Sequence, residues 1–164
     1  MRRRYVFVAA RSPCHHTRLG TGDTGRERKI NDTSNKFINM SWDIVLFNSK
    51  QKIDSVEELD DTQLEPTDFC SVFENHFDQI IKNDNHREIK GVDFAIDYFV
   101  DDEKVSNKMV SIYGENGLYE LVVLAKKYNW QIFDTGLGQM IDLDNPSNNG
   151  YENFQSYLRH VLKK

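Results

Sequence analysis

The sequence predicts an α+β fold: a two-layer sandwich with a ferredoxin-like βαββαβ order, one extra hairpin strand and a C-terminal helix. Three observations predict it. β-Branched and aromatic residues cluster at 42–48, and apolar residues alternate over 92–100. Apolar residues recur at three and four over 69–81, 118–128 and 151–162. The two patterns follow each other as strand, helix, strand, strand, helix, strand, which is the split βαβ order with helices packed on one side of a sheet.

The charge of the chain divides it near Met40. Residues 1–39 hold nine Lys and Arg against three acids, a balance of +6, whereas the remainder holds twelve bases against twenty-three acids, or −11. We therefore expect a disordered basic leader over 1–39 and a single acidic α+β domain over 40–164. Five arginines and no acid in residues 1–22 match a transit peptide in composition. The apolar residues there form one cluster, Tyr5 to Ala10, broken by Ser12-Pro13, so the periodicity of a targeting helix is missing. A functionally silent leader is the expectation, with targeting or a basic interaction arm as alternatives. Cys14 and Cys70 offer neither a disulfide framework nor a zinc spacing. Cys70 is expected as a small buried hydrophobe. No apolar run approaches the roughly 20 residues that span a bilayer, so a soluble, cytoplasmic protein without a membrane partner is expected. The acidic domain lacks the clustered Lys and Arg that phosphate binding requires, which argues against nucleic acid.

The elements follow in order. Trp42 to Asn48 reads as a buried first strand. Ser55-Val56-Glu57-Glu58 fits a capping box and predicts a short helical turn. Pro66 opens a longer helix in which Phe69, Val72, Phe73, His76, Phe77, Ile80 and Ile81 form one stripe, with Asn83-Asp84-Asn85 as its stop. On that stripe His76 reads as a core histidine. Val92 to Val100 is a strand, Asp101 to Lys104 a polar turn, and Lys108 to Tyr113 the returning strand. Gly114 to Gly117 leads into a helix carrying Leu118, Leu121, Val122, Leu124, Ala125 and Tyr128. Trp130 to Phe133 is the next strand, and Gly136-Leu137-Gly138 turns into a second hairpin at Met140 to Leu143. Asn149 followed by Glu152 resembles a capping box for the C-terminal helix. Trp42, Phe73, Phe77, Phe94, Leu121, Ile132, Phe154 and Leu158 are expected to share one core.

Few residues point to chemistry. Ile132-Phe133-Asp134-Thr135-Gly136 contains the Asp-Thr-Gly tripeptide of aspartic proteases. Little chain follows it, much of that helical, and Leu137 stands where those enzymes carry a small residue. A strand end opening a hairpin accounts for the tripeptide. Asp134, Asp142 and Asp144 lack the spacing and the late Glu of a calcium loop and read as solvated turn acids, so no metal is expected. His76, His86 and His160 are scattered with no nucleophile beside them, and no Gly-rich phosphate loop is present. No cofactor is expected. The one suggestive pattern is the second phase of the Val92 strand, where Asp93, Asp97, Phe99 and Asp101 share a face with Ala95. Its plain reading is the solvent side of a sheet. Its functional reading is a docking face for a basic protein, because charge of one sign around an aromatic anchor steers encounter and supplies a hot spot.

Residues 114–146, above all Leu121-Val122-Val123-Leu124-Ala125-Lys126-Lys127-Tyr128-Asn129-Trp130-Gln131-Ile132-Phe133-Asp134-Thr135, resemble small uncharacterised bacterial proteins of immunity-protein type, a likeness that can be extended over 40–164. The resemblance implies a compact, acidic, non-enzymatic domain that blocks a basic toxin. It assigns no residue a role, and the basic leader departs from it. The leading expectation is thus a protein-binding domain with a basic partner. A small ligand-sensing or enzyme-accessory domain is the alternative, and a hydrolase using Asp134 and Asp142 the third.

Overall fold

The computed structural model describes residues 41–162, apart from the side chains at 58, 157, 158, 161 and 162. The expectations for the leader at 1–39 and for the Leu158 side chain fall outside these residues. The described chain is mixed helix and sheet. Seven strands, β1 (Trp42–Asn48), β2 (Ile80–Asn83), β3 (His86–Lys90), β4 (Ala95–Phe99), β5 (Asn107–Tyr113), β6 (Trp130–Asp134) and β7 (Gln139–Met140), form one open antiparallel sheet. Their order across it is β2-β3-β4-β5-β1-β6-β7. Four helices accompany them: α1 (Phe69–His76), α2 (Glu115–Tyr128), α3 (Pro146–Asn149) and α4 (Tyr151–Leu162).

Alternation along the strands sends every second side chain to a front face, where α1, α2 and α4 lie. Ile44 and Leu46 of β1, Ile96 and Tyr98 of β4, Val110 and Ile112 of β5 and Trp130 and Ile132 of β6 meet Phe69, Phe73, Leu118, Leu121 and Leu124 there. Phe73 sits edge-on to Tyr98 at 5.0 Å, and Trp42 stacks on Phe154 at 5.3 Å. Of the expected core, Trp42, Phe73, Leu121, Ile132 and Phe154 are buried, while Phe77 and Phe94 are half-buried against them. Gly114 starts α2 at φ +88°, where a Cβ would stand 2.3 Å from the Asp93 carbonyl oxygen, so only glycine fits. Among the described residues no helix is long and apolar enough to cross a membrane.

The structure corrects the sequence reading in three places. The helix expected from Pro66 to Ile81 is two elements. Asp68 caps α1 by accepting from Ser71 N at 2.8 Å, and Phe77 N closes its last turn on Phe73 O at 3.0 Å. The chain then extends into β2, so Asn83-Asp84-Asn85 is a hairpin turn with Asp84 at φ +47°, leading to a third strand that the sequence reading lacks. His76 consequently leaves the core and lies 3.5 Å from the Glu120 carboxylate. The expected strand at Val92 begins only at Ala95: Val92 is 82% exposed and Asp93 takes φ +64° in the preceding turn. Finally, Asn149 does not cap α4. It ends α3, and its side chain reaches the β7 edge. Ser55 does cap a short 3-10 turn at Val56–Glu58, accepting from Glu57 N at 3.3 Å.

Candidate functional site

The back face of the sheet has two halves. Behind β1, β6 and β7 the chain from Ser49 to Glu65 crosses over the strands and closes on itself through the Ser49–Leu64 bridge. Its Ile53 is 3% exposed and packs on Val45 and Phe47 of β1. Gln131, pointing back from β6, holds this segment down: its Oε1 accepts from Ile53 N and its Nε2 donates to Gln51 O, each at 2.7 Å. This cover explains why four consecutive residues of β1, Ile44 to Phe47, are all buried.

Behind β3, β4 and β5 no such cover lies among the described residues. The strand registers place side chains here in rows that run across the sheet. One row is Ile81, Glu88, Asp97, Ser111 and Asp43, each directly opposite the next. The adjoining row carries His86 opposite Phe99 and, further across, Met109 opposite Val45. Neighbours within a row are about 5 Å apart, and rows on one face about 7 Å. A groove of about 760 Å³ follows this surface, lined by His86, Asp97, Phe99, Met109 and Ser111 together with Asp101 and residues 104–108. Phe99 is 60% exposed and Met109 51%.

The polar groups of the open half are tied in place. Asp43 Oδ1 accepts from Ser111 Oγ at 2.6 Å, and Glu88 pairs with Lys90. Asp97 Oδ2 lies 3.7 Å from His86 Nε2, while its Oδ1 is buried with no hydrogen-bond partner among the described residues. Burial raises the Asp97 carboxyl above its ordinary value; His86 opposes the rise and Glu88 adds to it. Burial likewise raises the Tyr113 hydroxyl, with Asp97 contributing. Asp97 is thus a partly buried carboxylate, with His86 and the Tyr113 hydroxyl against it, on the same face as the exposed Phe99 ring.

Of the four residues singled out in the sequence, Asp97 and Phe99 share this face. Asp93 is off the strand in its left-handed turn, and Asp101 lies beyond the end of β4. Asp101 accepts from Lys108 Nζ at 2.7 Å, and Lys108, 5% exposed, also donates to Phe99 O and lies 5.9 Å from the centre of the Tyr98 ring. Asp101 is therefore the counterion of a buried lysine. Cys70 is buried beside the same pair, 3.9 Å from Asp101 Oδ2, and burial raises its thiol. The sequence reading missed Asp43, Glu88, His86, Met109 and Ser111. Asp43, a lone acid inside an apolar strand, was the visible signal; the others needed the strand register.

The remaining acids serve turns. Asp134 is fully buried and its Oδ1 accepts from Gly136 N at 2.8 Å and Leu137 N at 3.0 Å, which makes the Asp-Thr-Gly tripeptide a hairpin device. Asp142 Oδ1 accepts from Asp144 N at 2.9 Å, and Asp144 pairs with Lys126. No group of metal-ligating side chains occurs among the described residues. Comparison of the chain with protein-family models, with curated proteins and with solved structures gives no match.

Proposed function

We propose that this chain is a non-enzymatic protein-binding domain of the immunity type that engages a basic partner through the open half of its back face. The observation that carries the reading is the exposed Phe99–Met109 pair standing beside the Glu88, Asp97 and Asp43 row on a rigid sheet. An exposed aromatic with a flexible thioether neighbour is a natural anchor, and the acids beside it select and steer a cationic partner. The net −11 of residues 40–164 extends that attraction beyond the contact itself. The groove volume also falls in the small-ligand range of about 300–1,000 Å³. However, its floor is a sheet surface from which two large apolar side chains protrude, and covering them takes a protein-sized surface. We further read the four strands β4-β5-β1-β6, joined through α1 and α2, as a ferredoxin-like unit to which the β2–β3 hairpin, β7 and α4 are added. The strand order and the front-face helices support this.

The experiment is to co-purify the partner on the full chain, with the product of the upstream reading frame as first candidate, and to reconstitute binding with the purified partner. Phe99→Ser should weaken binding by about tenfold or more, the scale of a hot-spot loss. Asp97→Lys should slow association and flatten its salt dependence. A purified partner that binds both variants like the parent, with the same salt response, contradicts the reading.

A further inference from the structure

The sheet has two outer edges, and they are treated differently. At β7 the ladder bond from Ile141 N to Ile132 O, 2.8 Å, turns the backbone of Gln139 and Ile141 toward β6, so that of Met140 and Asp142 faces outward. One side chain takes two of these outward groups. Asn149 Nδ2 donates to Met140 O at 2.6 Å, and Asn149 Oδ1 accepts from Asp142 N at 2.9 Å. A carboxamide thus stands where the peptide group of a next strand would stand, and the edge is closed.

At β2 the bond from Lys90 N to Gln79 O, 2.9 Å, fixes the corresponding phase. The backbone of Ile81 and Asn83 faces β3, and that of Ile80 and Lys82 faces away. Among the described residues nothing bonds to these outward N–H and C=O groups. A lysine on an edge strand ordinarily discourages pairing. Here Lys82 Nζ is drawn onto Glu74 Oε2 of α1 at 2.5 Å and so is held to the front face, away from the approach. Asp78 and Asp84, both exposed, flank the strand at its two ends.

We propose that the β2 edge receives an extended segment of the partner, which adds antiparallel to the sheet as a further strand. The proposal rests on the partner being basic, as read above, and adds where its backbone goes. The chemistry of the segment follows from the two faces. A residue beside Ile81 on the back face would lie about 5 Å from it and about twice that from Glu88. A Lys or Arg stem laid along the 44%-exposed Ile81 spans that gap and delivers its charge to Glu88. Residues beside Ile80 and Lys82 point to the front and include an apolar one against the half-buried Ile80. The fitting occupant is a strand alternating basic and apolar residues, with the backbone groups of its front-facing residues bonded to β2.

The test follows amide hydrogen exchange at Ile80 and Lys82 by NMR in the full chain, with a synthetic acetylated Lys-Val-Lys-Val-Lys-Val-Lys peptide as probe. The peptide should slow both amides by about tenfold or more. A Glu-for-Lys peptide, or one N-methylated at its Val residues, should not, whereas N-methylation at the Lys residues should be tolerated. The proposal is overturned if the Val-methylated peptide protects equally or if the parent peptide does not protect at all. It is also overturned if the amides are already slow without peptide, or slow only as protein concentration rises, which would make a second copy the occupant. Protection by the peptide combined with partner binding indifferent to both Phe99→Ser and Asp97→Lys leaves the edge standing and removes the face reading. The reverse combination removes the edge alone.

Discussion

The two halves of the back face lie on adjoining strands of one sheet, and β1 borders both. Behind β1 and β6, Val45, Phe47 and Phe133 are covered by the Ser49–Glu65 segment with Ile53 at its centre. Behind β3, β4 and β5, Phe99 and Met109 are exposed among the described residues. Seventeen residues shield one apolar patch, whereas among the described residues nothing shields its neighbour. The covered half completes the fold, and the open half is the surface on which the proposed binding reading rests.

This contrast can be broken or sharpened by mutation. The largest effect separates two acids that look alike in sequence. Asp101→Ala should cost about 3–5 kcal/mol because it strips a buried lysine of its counterion, read as a fall in denaturant midpoint. A cost under about 1 kcal/mol would show that Lys108 reaches solvent. On the covered half, Ile53→Ala should cost about 2–5 kcal/mol as a core truncation. Gln131→Ala should cost about 1–3 kcal/mol, since it leaves Ile53 N and Gln51 O without their partner. Faster exchange confined to residues 49–65 would accompany the second change. On the open half the sign reverses for Asp97. Its raised carboxyl means that the folded chain keeps a proton the unfolded chain has lost, so stability falls as pH rises from the ordinary Asp value of 3.8 through the folded one and stays lower above it. Asp97→Asn should therefore be more stable than the parent at neutral pH, and this gain should vanish below the ordinary Asp value. Thermal melts across that range decide it. The smallest effect is expected at Phe99→Ser, within about 0.5 kcal/mol in stability, although it should cost the most in binding.

How far the sequence was legible follows the same physics. β1, β5, α2 and β6 could be read directly, β1 from its run of β-branched and aromatic residues and α2 from its helical period, with turn or glycine signals marking where the elements change. The 69–83 region could not. Phe73, Phe77 and Ile80 satisfy helical spacing, yet Phe77 is where α1 ends and Ile80 reaches the front-face core from a new strand, so the apparent stripe runs across a break between two elements. β3 was hidden by its composition, with Ile89 its one apolar residue among His86, Arg87, Glu88 and Lys90. The site suffered accordingly. Asp97 and Phe99 were legible as neighbours on one strand face, whereas Glu88, Ser111 and Asp43 join them only through pairing across four strands. Asp93 and Asp101 were misplaced because a strict two-residue period was extended past both ends of a strand that is only five residues long.

The central claim is that the open half is the binding surface, and side-chain oxidation footprinting of the full chain with and without its purified partner tests it most directly. Phe99 and Met109 on the open half should lose reactivity in the complex, while Val123 and Tyr128, exposed on α2 at 54% and 39%, should keep theirs. Protection of Val123 and Tyr128 with Phe99 and Met109 still reactive would contradict the account and move the partner to the helical side.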